Sequence, residues 1–275
     1  MINSFKQLKV DEVMDNVFVG QMVIKGGRSF NLDLLDEITD FFSFVFMREN
    51  NNNENRVFAI TGEEGSGIFN VGGDLALFLK LVESRDSNLL FGYGERCIRL
   101  IDRSLNAKNH DMTTVSIING NALGGGFESA LSCDIIIAEK GYEISLPEIR
   151  LGFFPGMGAF ELLSKRIGPQ AAKKFILNGD NHTTDELYEL GVFDYLVERG
   201  EGVEKLREVI KKERTAQTTY NSIRKIHDRQ VPVHYNDMVH TLNFWVESIL
   251  NISDRQKKFI LSTIKRQQRR FNKDS

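Results

Sequence analysis

Two glycine loops, each downstream of a β-branched apolar run, constrain this chain more than any other feature. "TTVSIIN" (113 to 119) leads into "GNALGGGFESALS", and "RVFAIT" (56 to 61) leads into "GEEGSGIFNVGGDL". Short runs of Val, Ile and Thr bounded by glycine are strand signals. After the first run, Gly124, Gly125 and Gly126 open a segment with helical spacing. Glycine loses more backbone freedom on folding than any other residue, so three in a row mark a close approach to the main chain. Bare N–H groups at a helix N-terminus hold a phosphate or a developing oxyanion. A tight strand-to-helix turn explains one triplet equally well. The spacing fits neither the dinucleotide fingerprint nor the P-loop, which disfavours a phosphate cradle. The second loop, with Gly72 and Gly73, changes the balance. Two such junctions side by side at the carboxyl edge of one parallel sheet lie where α/β proteins bind ligands. Together they would hold one carbonyl oxygen from two sides.

The rest of the chain fits this frame. "NVFVGQMVI" (16 to 24) reads as a strand broken by Gly26 and Gly27, and "NLDLLDEITDFFSFVF" carries apolar residues at helical spacing. "NNNEN" (51 to 55) is a loop. Residues 74 to 105 read as helix interrupted near "SRDSN", "DIIIAE" (134 to 139) as strand, and "FDYLV" (193 to 197) as a last strand-like piece. Strands alternating with helices predict an α/β fold with parallel β-α units. With no Pro- or Ser-rich linker, one domain is expected: a core over residues 1–200 and a helical region over 201–275 packed on it.

Composition removes several function classes. A net charge of −3 gives no general case for nucleic acid. The polar start "MINSFKQLKVDEVMDN" resembles neither a signal peptide nor an anchor, and no apolar run approaches the length of a membrane helix. Cys97 and Cys133 lack metal-ligand spacing and suggest no disulfide framework, so a reducing cytoplasm is expected. His110, His182, His227, His234 and His240 form no ligand pattern, and no metal or cofactor is expected. No serine nucleophile elbow is present.

"IFNVGGDL", "INGNALGGGFESALSCDIIIAE" and "ISLPEIRLGFFPGMGAFELL" together resemble the crotonase (enoyl-CoA hydratase/isomerase) superfamily, over roughly residues 15 to 200. The resemblance implies β-β-α units around a spiral sheet, a helical C-terminal extension, and trimers or hexamers. It implies an oxyanion hole from the N–H groups of Gly73 and Gly125, flanked by Gly72 and Gly124. Taken singly, Glu128 and Glu148 are ordinary glutamates, which are mostly solvated. In the resemblance they occupy the two positions that the hydratase branch fills with its paired acid and base. Which is acid and which is base in each step stays open.

"PGMGAFELLSKRIGPQAAKKFILNGDNHTTDELYELGVFDYLVERGEG" narrows the match to the diffusible signal factor synthases. That resemblance implies dehydration of a 3-hydroxyacyl thioester on acyl carrier protein to the cis-2-enoyl thioester, then hydrolysis to a free fatty acid signal. A CoA-linked hydratase and a catalytically inert binding partner are the alternatives, and a sensor kinase receiver domain is a possible partner. Ordinary hydratases carry "PGAGG" or similar where this chain has Pro155-Gly156-Met157-Gly158-Ala159. A fatty-acyl substrate needs an apolar slot. Phe153, Phe154 and Met157, beside Glu148, are candidates for its wall, as is Trp245. Trp245 belongs to a stripe with Met238, Leu242 and Ile249 that reads equally as core. Eight basic residues lie between 254 and 275: Arg255, Lys257, Lys258, Lys265, Arg266, Arg269, Arg270 and Lys273. They read either as a solvated helix face or as a docking surface for an acidic carrier protein.

Overall fold

The computed structural model describes residues 5–23, 29–49 and 54–271, the side chains of 268–271 excepted. Gly26, Gly27, the first three residues of "NNNEN" and Lys273 lie outside the described residues, as do the side chains of Arg269 and Arg270.

The chain builds β-β-α units. The first joins β1 (Leu8–Met14), β2 (Val17–Met22) and α1 (Leu32–Phe46). The second joins β3 (Arg56–Gly62), β4 (Ile68–Asn70), α2 (Leu75–Ser84) and α3 (Ser87–Asn106). The third is β5 (Met112–Ile118), β6 (Asn121–Leu123) and α4 (Gly125–Leu131); the fourth is β7 (Ile135–Glu139), β8 (Glu143–Ser145) and α5 (Glu148–Leu151). Then follow α6 (Ala159–Ile167), α7 (Pro169–Asn178), β9 (Asn181–Thr183), α8 (Thr184–Glu189) and β10 (Tyr195–Val197). Four helices complete the chain: α9 (Gly202–Arg214), α10 (Gln217–Gln230), α11 (Tyr235–Leu250) and α12 (Asp254–Phe271).

In the second to fourth units the two strands go to different sheets. The first strand enters a six-stranded sheet of order β1-β2-β3-β5-β7-β10, parallel except at β1. The second enters a four-stranded sheet of order β4-β6-β8-β9, parallel from β4 to β8. The glycine loops therefore do not follow "RVFAIT" and "TTVSIIN" directly, as the sequence reading expects. A three-residue strand intervenes each time, too short to show an alternation. The loops do sit at the carboxyl ends of neighbouring parallel strands, but of the smaller sheet.

Both faces of the larger sheet are buried, as the continuous apolar runs require. Phe18, Phe58, Ile60, Ile118 and Ile136 face the main core with α1 and α3. The alternate residues Val19, Val57, Val115, Ile117 and Ile137 face Leu206, Val209 and Ile210 of α9. β1 escaped the sequence reading because Lys9 and Asp11 interrupt its apolar residues. Leu8 and Val10 are buried, and Val13 and Met14 pack half-buried on the second cluster, while Lys9, Asp11 and Glu12 are exposed, the ordinary condition of an edge strand. Among the described residues no helix is long and apolar enough to cross a membrane.

The triplet's last glycine is a packing glycine. A Cβ on Gly126 would stand 2.3 Å from Asn70 O, at the end of β4. Gly126→Ala should therefore separate α4 from β4 and destabilise the protein by about 1 to 3 kcal/mol. Denaturant unfolding of the purified variant measures this, and an unchanged midpoint would show that the contact is slack.

Candidate active site

The two glycine loops touch. A Cβ on Gly72 would lie 2.8 Å from Leu123 O and 3.0 Å from Gly125 N, so only glycine permits the approach. Gly72 has φ 91°, and its N–H donates to Asn70 Oδ1 at 2.8 Å. Gly124 has φ 51° and ψ −128°, a conformation open to glycine almost alone. Its N–H donates to Ser145 O at 2.9 Å, which ties this loop to β8. The N–H groups of Gly73 and of Gly125, the first residue of α4, have no acceptor among the described residues.

Gly73 and Gly125 line one pocket, and so do Glu128 and Glu148. Glu128 projects from the first turn of α4 and is 1% exposed. Its Oε1 accepts from the N–H of Met157 at 2.8 Å and of Ala159 at 3.1 Å. These amides belong to "PGMGA", where Gly158 at φ 91° turns the chain into α6. The motif thus grips a carboxylate across the fold. Glu148 opens α5 after Pro147. Its Oε2 is closed off from solvent and has no hydrogen-bond partner among the described residues. Its Oε1 lies against Gly124, 2.2 Å from where a Cβ would stand.

Burial dominates the electrostatics. Loss of hydration, reinforced by the charge of Glu148, holds the Glu128 carboxyl well above its usual range, against the pull of the two amides. Burial alone lifts Glu148 to about 7. Both carboxyls are thus held towards the protonated form.

The remaining sequence candidates divide. Phe153, Met157 and Trp245 line the pocket with the glutamates. Trp245 rests on Gly156, with ring centroids 5.3 Å from Phe78 and 6.3 Å from Phe153. Phe154 does not line it. It turns away from its neighbour and packs half-buried against the main core. Gly72 stands behind the pocket wall, while Gly124 faces a wider mouth of about 1030 Å³. That mouth also contains Arg150 and, from α12, Phe259 and Arg266. Of the α11 stripe, Leu242 and Trp245 reach the pocket, whereas Met238 packs on Gly158. Sequence reasoning missed Phe78 and Tyr93. Phe78 follows the Gly72–Gly73 loop by about one turn, which was the available signal. Tyr93 donates to Phe30 O at 2.7 Å, and burial raises its phenol well above 10.

A spiral of β-β-α units with glycine loops paired over two carboxyls defines a protein of the crotonase fold. A family model described as enoyl-CoA hydratase/isomerase matches residues 25–258, and the chain belongs to that family. A crotonyl-CoA hydratase from Syntrophomonas wolfei is 30% identical over 187 residues, covering 67% of this chain and 66% of that one. The matched stretch thus spans about two thirds of that relative's length. Among solved structures, an enoyl-CoA hydratase from Bacillus halodurans superposes with a TM-score of 0.77 at 16% identity, covering 94% of this chain and 100% of that one. The ECH2 decarboxylase domain of CurF from Lyngbya majuscula gives 0.73 at 16% identity, covering 94% and 99%. Such low identity establishes the fold, and these two neighbours carry different reaction names on it.

Glu148 provides a test of the electrostatics. Its folded pKa of about 7 exceeds the ordinary 4.5, so between those values the native state holds a proton that the unfolded chain has lost. Its burial then lowers stability progressively as pH rises through that window, by at most about 3 kcal/mol. Glu148→Gln should accordingly be more stable than the parent at pH 8, with the advantage shrinking towards pH 5. Chemical denaturation at both pH values measures it; an advantage independent of pH would show that the carboxyl is hydrated.

Proposed function

We propose that this protein moves water across the C2–C3 bond of an acyl thioester. The observation that carries the reading is the convergence of two buried carboxyls and two unspent backbone N–H groups on one pocket. A thioester carbonyl between Gly73 and Gly125 receives both N–H groups. As the α-proton leaves, charge collects on that oxygen, and each aimed donor contributes roughly 3 to 4 kcal/mol to the transition state. One glutamate, ionised, takes the α-proton. The other, protonated, donates to the departing 3-hydroxyl, which leaves as water; hydration runs the same steps backwards. Glu148 Oε2, which has no partner among the described residues, is free for such exchange. Glu128 is fixed at Oε1 by two amides, which leaves Oε2 to face the substrate.

Within this class we read the substrate as a 3-hydroxyacyl thioester on acyl carrier protein. It is dehydrated to the cis-2-enoyl thioester and then hydrolysed by an activated water to the free acid. The support is the resemblance of "PGMGAFELL" and the segments around it to the diffusible signal factor synthases. Both steps place negative charge on the same carbonyl oxygen, so one pair of amides serves both. Arg150 and Arg266 at the mouth are suited to the phosphate of a carrier arm. A trimeric or hexameric assembly and a receiver-domain partner belong to the same proposal. Hydration of enoyl-CoA esters is the second reading, and the crotonyl-CoA hydratase relative favours it.

Glu128→Gln and Glu148→Gln should each lower turnover by ~100- to 10,000-fold with the fold retained. Rates on 3-hydroxyacyl and enoyl thioesters, alongside melting curves, check this, and a loss below about 10-fold would remove that residue from proton transfer. Mass spectrometry of the products separates the readings. A free cis-2-enoic acid is expected; hydration of a trans-2-enoyl-CoA without acid release would establish the second.

A further inference from the structure

The two amides of the glycine loops are not held alike. Gly125 opens α4, and Gly124 O, at the far end of the same peptide unit, accepts from the N–H of Phe127 at 2.8 Å and of Glu128 at 3.0 Å. A peptide unit is planar and trans, so its C=O and N–H point in opposite directions. The helix itself therefore fixes the direction of the Gly125 N–H. Gly73 lacks this support. β4 ends at Asn70 and α2 begins at Leu75, so the Gly72–Gly73 peptide lies in the loop between them. A glycine pair leaves that peptide free to rotate unless something outside the loop holds it.

Phe30 does so. Its N–H donates to Gly72 O at 2.8 Å, and it forms an isolated parallel bridge with Gly73. With the oxygen held on Phe30, the opposite end of the plane, the Gly73 N–H, is aimed away from it. Gly73 lines the pocket of the two glutamates. A carbonyl that accepts a hydrogen bond also polarises the N–H of its own peptide into a stronger donor.

Phe30 in turn sits just ahead of α1, outside the strands of both sheets. Its carbonyl accepts from the Tyr93 hydroxyl at 2.7 Å. Tyr93, on α3, is buried, and its ring meets Phe78 edge-on with centroids 5.1 Å apart. Both rings lie against Gly73: a Cβ there would stand 2.5 Å from Phe78 Cζ and 3.5 Å from the Tyr93 oxygen. Burial keeps the phenol protonated, so the hydroxyl remains a donor across the working pH range. Although Tyr93 lines the pocket, its one proton is spent on Phe30 O.

We infer that Tyr93 is a positioning residue: by holding Phe30 it fixes Gly72 O, and through that peptide plane it aims the Gly73 N–H. The inference rests on the acyl-thioester reading, in which that N–H receives the carbonyl oxygen, and adds to it a side chain that acts through the main chain of others.

Tyr93→Phe keeps the ring and removes the hydroxyl. Hydrogen exchange at the Phe30 amide, read by mass spectrometry with fragmentation to single residues, should quicken at least ~10-fold while the larger sheet exchanges as in the parent. On a 3-hydroxyacyl or enoyl thioester, kcat should fall roughly 10- to 100-fold with KM within about 2-fold, the mark of support given to the transition state alone. Ser104→Ala is the control. It also removes a buried α3 hydroxyl that donates to a main-chain carbonyl, Ser132 O at 3.0 Å, but three turns further along the helix. It should lower the melting temperature and leave kcat unchanged. Unchanged exchange at Phe30, an unchanged kcat in Tyr93→Phe, or an equal loss of kcat in Ser104→Ala each overturns the inference. If the parent turns over neither thioester, the reaction assignment falls, and exchange at Phe30 alone decides whether Tyr93 holds the loop.

Discussion

The contact between the two glycine loops is the constraint on which the rest of the site depends. Gly72 meets Leu123 O and Gly125 N at distances that exclude a side chain, and Gly126 meets Asn70 O in the same way. These approaches lock the end of β4 to the end of β6 and to the start of α4. Register in the small sheet is set there, because strands of three residues have too few ladder bonds to set it themselves. Once the loops are locked, the N–H groups of Gly73 and Gly125 are left on the wall of one pocket without acceptors among the described residues. An unsatisfied buried N–H is costly in a folded protein. On the proposed reading, this pair receives the thioester oxygen.

The same economy governs the carboxyls. Glu128 is nearly inaccessible, and one buried charge without compensation would destabilise the fold by several kcal/mol, on the order of 3 to 5. "PGMGA" offsets part of that cost through two backbone N–H groups at the start of α6, but burial and the Glu148 charge outweigh it and hold the carboxyl well above its usual range. Glu148 receives no such help at Oε2. The two environments therefore differ although the side chains are chemically identical, and on the proposed reading this difference divides the pair into donor and acceptor.

Much of this was legible in the sequence, for reasons that particular residues make plain. The strands of the larger sheet are runs of Val, Ile and Phe buried on both faces, so "RVFAIT", "TTVSIIN" and "DIIIAE" announce themselves. β4, β6, β8 and β9 do not, since three residues cannot display a period of two. Edge strand β1 hid behind Lys9 and Asp11. Glu128 and Glu148 stood out only through their resemblance to a family pattern, because a glutamate in a one-dimensional string is indistinguishable from a solvated one. Their shared pocket, and the amides of Met157 and Ala159 that hold Glu128, depend on long-range packing. Phe154 shows the limit from the other side: proximity in sequence to Phe153 and Glu148 placed it in the slot, and the turn after α5 carries it to the core instead.

The fold by itself does not choose the reaction, since solved structures named for hydration and for decarboxylation superpose on this chain about equally well. Stabilising charge on a thioester oxygen is common to any chemistry that passes through an enolate, so the paired glycine loops narrow the substrate more than the outcome. The outcome is decided by what stands opposite the α- and β-carbons. A single carboxyl there can shuttle one proton. Moving water requires a second, because a hydroxyl leaves slowly unless it is protonated as the α-proton departs. Glu128 and Glu148 approach from different units of the spiral, one on α4 and the other on α5. On the proposed reading, loss of either position removes one of the two proton transfers while the glycine contacts and the pocket walls stay in place.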